Sequence, residues 1–141
     1  MEPLALVPLG TLTITMGKTT VMQGTPAGTR VVVDYPEVTI EGERLRAKLV
    51  KVAAADWLVV GPGAVATLDM RFLLETHDGA HVYVHGKGRA DATTFNQGGA
   101  AYFTPIFETD DARYAWLNEI QAVARGSAKG SVVTFELCEL R

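Results

Sequence analysis

Cysteine is nearly absent: Cys138 is the only one in 141 residues. A single thiol excludes an internal disulfide framework and fits a reducing compartment. Set in the run Val132-Val133-Thr134-Phe135-Glu136-Leu137-Cys138, it reads as a small apolar residue of a strand and not as a nucleophile. Basic runs are missing too. The net charge is −3 and no segment is rich in Arg and Lys, so nucleic acid and anionic membranes lack their electrostatic footprint. No apolar run approaches the ~18–20 residues needed to span a bilayer. No basic residue precedes Lys18, so no secretory signal is expected and the expected compartment is the cytoplasm.

Cofactor and metal patterns are equally sparse. Gly86-Lys87-Gly88 lacks the spacing of a phosphate loop, and no helix follows it. No Gly-x-Ser-x-Gly elbow or Cys-x-x-Cys pair occurs. His77, His81 and His85 are spaced by four, which would bring them together on a helix. On a strand that spacing spans ~13 Å, too far for two of them to hold one ion. No metal and no cofactor is therefore expected.

What the chain does have is β signal. Hydrophobic residues make up 48% and charged residues 21%, a globular balance at the size of one domain. β-branched and aromatic residues recur in 12–15, 30–34, 38–40, 45–52, 57–60, 65–75, 81–85, 102–108 and 131–140, which are read as strands. Pro36 lies between two of them and marks a break or an edge, because it cannot donate to a ladder. Turn chemistry separates the rest: Gly24 to Gly28, Glu41-Gly42-Glu43, Gly61-Pro62-Gly63, His77-Asp78-Gly79 and Gly126 to Gly130. Residues 86–100 read as a long loop. One helix of one to two turns is expected over Asp110 to Asn118, with two acids at its start. Short strands at regular spacing imply an all-β fold, barrel or sandwich, in one domain.

One hairpin can be read in register. Leu68, Met70, Phe72 and Leu74 are apolar and alternate with Asp69, Arg71 and Glu75; Val82 and Val84 alternate with His81, Tyr83 and His85. A two-residue Asp78-Gly79 loop would set Leu74 opposite Tyr83. A three-residue loop with Gly79 left-handed sets Glu75 opposite His81, Leu73 opposite Tyr83 and Arg71 opposite His85, and keeps like faces together. The second register is expected, and it gathers Asp69, Arg71, Tyr83 and His85 on one side of the sheet. That side faces either solvent or the mouth of a barrel. In the second case Arg71 would anchor a carbonyl or carboxylate, Asp69 would hold Arg71 or act as base, and Tyr83 or His85 would move a proton.

Six stretches carry a family resemblance: Gly24-Thr25-Pro26-Ala27-Gly28-Thr29-Arg30, Ala55-Asp56-Trp57, Leu68-Asp69-Met70-Arg71, Asp78-Gly79, Tyr102 to Thr109, and Arg113-Tyr114-Ala115-Trp116-Leu117-Asn118. In this order, over about residues 8–140, the chain resembles the bacterial and fungal domain-of-unknown-function family 3237. The resemblance implies a closed antiparallel β-barrel with one short helix near the C-terminal strands, often in homo-oligomers. It is similar in plan to small barrels that cyclise or bind small hydrophobic molecules. Residues 86–100 depart from the family, many members of which carry a longer, more polar insertion there. The resemblance adds Asp56, Trp57, Phe103, Thr104, Trp116 and Asn118 to the positions of interest. Trp57, Phe103, Thr104, Trp116 and Asn118 would be ligand-binding residues, with Trp57, Phe103 and Trp116 as walls; Asp56-Trp57 and Trp116-Leu117-Asn118 read equally well as structural corners. Three functions stay open: a cofactor-independent isomerase, cyclase or lyase acting on a small organic molecule, a non-catalytic small-molecule barrel, or an oligomeric structural module.

Overall fold

Alternating apolar residues build eleven strand segments: β1 (Leu6–Thr15), β2 (Thr19–Thr25), β3 (Gly28–Asp34), β4 (Glu37–Glu41), β5 (Arg46–Leu49), β6 (Ala55–Val60), β7 (Val65–Thr76), β8 (His81–Asp91), β9 (Ala101–Glu108), β10 (Ala122–Lys129) and β11 (Val132–Leu140). They come from a computed structural model that describes all 141 residues. The longest shows the cause plainly: even-numbered positions of β7 from Ala66 to Thr76 are buried and odd ones are not, the period of two that puts one face on a core.

All pairings are antiparallel, and they close the sheet. β7, β5, β4, β1, β11, β10, β9 and β8 form a ring, since β8 pairs back onto β7. This is an eight-stranded barrel. The remaining segments lengthen three of its strands. β1 runs on into β2, β4 is preceded by β3 across Tyr35-Pro36, and β5 is followed by β6, so β2–β3–β6 continues the wall alongside the far half of β7. Pro36 sits at one of these breaks, as its missing N–H requires. The continuation does not close: β2 is the outermost strand of the order.

The two halves differ inside. The closed half is filled by fully buried Leu12, Ile14, Ile40, Phe72, Leu74 and Phe107. A 3-10 helix, Ala112–Glu119, covers its end and inserts Tyr114 and Leu117 into the core. Asp111 caps this helix by accepting the Arg113 N–H at 2.9 Å. The open half keeps a cavity. No helix is long and apolar enough to cross a membrane.

The β7–β8 register is the three-residue-loop register: Glu75 faces His81, Leu73 faces Tyr83 and Arg71 faces His85, with Gly79 at φ 91°. Three segments differ from expectation. Residues 86–91 are not loop but the end of β8, paired with both β7 and β9. Gly86 and Gly88 mislead because glycine reads as a breaker. Here each is small so that β9 can pack close, and an added Cβ would collide with the carbonyl oxygens of Thr104 and Tyr102. Gly126 to Lys129 belong to β10, the turn being only Gly130-Ser131. β2 is the third: Thr19–Thr25 has no alternation of apolar and polar residues to mark it as a strand.

Candidate functional site

The cavity in the open half has a volume of about 560 Å³, within the range of small-molecule sites. Val31 and Val33 of β3, Leu58 and Val60 of β6, and Ala66 and Leu68 of β7 line one side; Val133 and Phe135 of β11 line the other. Exposed Thr19, Asn96 and Ser131 stand at its outer end. Asp56 and Tyr35, 3% and 5% exposed, lie at its inner end. Asp56 is the only ionised side chain among the lining residues, and no Arg, Lys or His is among them.

Asp56 comes from the start of β6. The inward side of the pleat carries it into a place where its neighbours are apolar. Its Oδ1 accepts the Asp69 N–H at 2.8 Å. Burial is the largest influence on its ionisation and lifts the carboxyl from 3.8 to about 6; the bond from the Asp69 N–H and the Tyr35 side chain beside it act against that, while the Asp69 charge adds to it. Burial, with the Asp56 charge beside it, holds the Tyr35 phenol well above its usual range. Near neutral pH the pair is a carboxyl poised between its two forms and a phenol that stays a donor. That combination can take a proton from a bound molecule and return it.

The four residues expected from the hairpin do share one face, but it is the outer one, and none lines the cavity. Arg71 Nη2 lies 3.9 Å from Asp69 Oδ2, and its guanidinium rests 4.5 Å from the Trp57 ring. Lys87 Nζ is closer to Asp69 Oδ2, at 3.2 Å. Tyr83 and His85 stack at 5.1 Å, and His85 Nε2 is 3.8 Å from Glu108 Oε2. The residues expected as ligand walls are also dispersed. Trp57 lies under Arg71 on the outside. Phe103 is wholly buried against Phe135, at 6.1 Å between ring centres, so it stands behind the cavity wall. Thr104 is exposed and donates to the Lys87 carbonyl. Trp116 lies beneath Arg44, 4.9 Å from ring to guanidinium, at the other end of the barrel. Asn118 binds the main chain of Thr109. Tyr35 is not among the residues expected from the sequence: next to a proline, it reads as part of a turn.

The family model "Protein of unknown function (DUF3237)" matches residues 4–140. The chain belongs to this family. Solved structures of the same fold include a β-barrel-like protein from Acinetobacter baumannii AYE, 27% identical, covering 100% of this chain and 98% of that one at a TM-score of 0.85. A conserved protein of unknown function from Rhodopseudomonas palustris is 21% identical over 100% of both chains, with a TM-score of 0.90. A protein from Penicillium herquei described as an enzyme is 17% identical, covering 100% and 97%, with a TM-score of 0.73. No curated protein matches the chain. In this DUF3237 member five of the six stretches that carry the resemblance fall into two groups. Asp78 and Arg113 to Asn118 meet at the closed end, where the Tyr114 hydroxyl donates to Asp78 Oδ1 at 2.8 Å and Arg113 Nη1 lies 3.2 Å from Asp78 Oδ2. Arg30, Asp56-Trp57 and Leu68 to Arg71 meet at the wall of the cavity.

Proposed function

We propose that this protein is a cofactor-independent enzyme of isomerase, cyclase or lyase type that acts on a small, uncharged, mainly apolar organic molecule. Asp56 moves the proton, and Tyr35 donates a hydrogen bond to the carboxylate or to an oxygen of the substrate. One observation carries the reading: a single buried carboxyl, lifted to about 6, at the inner end of a cavity of about 560 Å³. A carboxyl in water would be too weak a base at neutral pH; burial raises its basicity and keeps solvent from competing for the proton. With no cation among the lining residues, a carboxylate or phosphate would meet only the repulsion of Asp56, whereas a carbonyl or phenol would meet a donor and an acceptor. The Penicillium herquei protein described as an enzyme supports a catalytic use of the fold, though fold by itself does not fix chemistry.

The apolar walls support a second reading, a barrel that binds such a molecule without converting it. A homo-oligomer belongs to the proposal as well. Its support is β2, an uncharged edge strand with Val21 52% and Met22 48% exposed, lacking the charges that usually protect an edge. A cytoplasmic location is supported by the free thiol of Cys138.

A thermal-shift screen of small carbonyl, phenolic and carboxylate compounds tests the site, since a ligand of the native state raises its stability. Wild type is run beside Asp56→Asn and Arg71→Ala. The expected hit is an uncharged compound that stabilises wild type and Arg71→Ala alike and is converted only where Asp56 is intact. A hit that binds but is never converted leaves the binding-protein reading. A hit lost in Arg71→Ala alone moves the site to the outer face. No hit at all favours a structural module.

A further inference from the structure

Asp56 meets its outer neighbours through a fault in the barrel wall. β6 and β7 pair at Ala55–Arg71 and Asp56–Met70, and again at Val59–Thr67 and Val60–Ala66; the rungs between, at Trp57 and Leu58, are not made. In that gap the Asp69 N–H, freed from the ladder, donates to Asp56 Oδ1 at 2.8 Å. The Trp57 carbonyl accepts from Arg30 Nη1 at 2.7 Å. Both unused backbone groups are therefore satisfied by side chains, as buried polar groups must be. The consequence is that one residue, Asp69, holds the interior acid with its main chain while its own carboxylate stands on the opposite face of the sheet.

On that face Asp69 Oδ2 lies between Lys87 Nζ at 3.2 Å and Arg71 Nη2 at 3.9 Å. Arg71 is drawn aside over Trp57, which leaves Lys87 as the nearer partner. Asp69 and Lys87 are partly solvated, with side chains 25% and 69% exposed, and they act on Asp56 across one layer of sheet. Their signs oppose: Asp69 disfavours the ionised form of Asp56 and Lys87 favours it. The other group bearing on Asp56 is Tyr35, from the β3–β4 junction; Arg30 of β3 stands beside the gap on the Trp57 carbonyl. From the cavity side there is no cation.

We propose that Asp69 and Lys87, on the outside of the barrel, are positioning residues that set the charge state of Asp56 on the inside. This rests on the reading of Asp56 as the proton-transfer group. It gives the hairpin cluster a role without contact with the ligand: when a molecule fills the cavity and displaces water from the inner side, the outer pair remains and keeps the carboxyl poised. Arg71 then holds Trp57 and the edge of the gap in place.

The test needs no ligand. The full chain is prepared with carboxyl-labelled aspartate, and the Asp56 resonance, assigned with Asp56→Asn, is titrated by carbon NMR. Lys87→Met is expected to raise the Asp56 midpoint and Asp69→Asn to lower it, each by roughly half a pH unit. Arg125→Met on β10, which faces Glu136 on the opposite wall, is expected to leave it unchanged. Lys87→Glu is expected to raise it further than Lys87→Met, and it carries the test if Asp69→Asn fails to fold. Midpoints unmoved in Lys87→Met and Lys87→Glu, with wild-type spectra elsewhere, overturn the proposal. So does a shift of the same sign in Lys87→Met and Asp69→Asn, because that is the mark of a general disturbance. Turnover lost in Asp56→Asn alongside an unmoved midpoint in the Lys87 variants would sink this inference and leave the proposed function standing.

Discussion

Asn118 closes a two-bond clasp on Thr109: its Oδ1 accepts the Thr109 N–H at 2.8 Å and its Nδ2 donates to the Thr109 carbonyl at 3.0 Å. The clasp ties the end of the 3-10 helix to the strand exit nine residues earlier, at the end of the barrel away from the cavity. Both bonds are partly solvated, so each contributes modestly. Asn118→Ala should lower stability by about 1–2 kcal/mol in urea denaturation and leave any ligand-induced thermal shift unchanged. A lost ligand shift in a folded Asn118→Ala variant would return Asn118 to the binding site.

Stability should fall as pH rises through the titration of Asp56. Its folded-state value, about 6, lies above the ordinary 3.8. Between those values the native state binds more protons than the unfolded one, so unfolding free energy decreases with pH. The contribution is complete below about 3.8 and lost above about 6. Its size is of the order of 2–3 kcal/mol. Asp56→Asn removes the ionisation and keeps an acceptor for the Asp69 N–H. The difference in unfolding free energy between wild type and Asp56→Asn, measured from pH 4 to pH 8, should therefore move in favour of the variant. A difference that is flat with pH would show that Asp56 titrates normally.

Tyr35→Phe should raise the Asp56 midpoint further, because the Tyr35 side chain favours the carboxylate. The ring still packs beside Phe72, 6.5 Å away, so the loss of stability should stay near 1 kcal/mol. The aspartate NMR titration reads the midpoint directly. A midpoint that falls or stays fixed would mean that the phenol is not the donor.

Filling the cavity should abolish binding without unfolding the barrel. Ala66 is 4% exposed and lines the space. A phenylalanine there enters existing volume instead of overpacking the core. Ala66→Phe should keep its melting temperature within a few degrees of wild type and lose the ligand-induced shift. A shift that survives would locate the ligand elsewhere.

The sequence by itself determined the strands with strong alternation, the β7–β8 register, the short helix and the family. These follow from local chemistry. A period of two fixes which side chains share a face, Gly79 fixes the loop, and Pro36 fixes a break. Local chemistry could not decide which face was inside. Asp69, Arg71, Tyr83 and His85 stand together as the alternation required, yet the ring closes with them outward, because the larger apolar set of β7 and β8 must fill the core. Nor could it show that the rungs at Trp57 and Leu58 are left unmade, since a missing ladder bond has no residue type to announce it. Asp56 lies in β6 and Tyr35 at the junction of β3 and β4, and they read as a corner and a turn. Only the pairing of β3 with β6 brings them side by side at the end of a cavity, where burial raises the Asp56 carboxyl above its ordinary range.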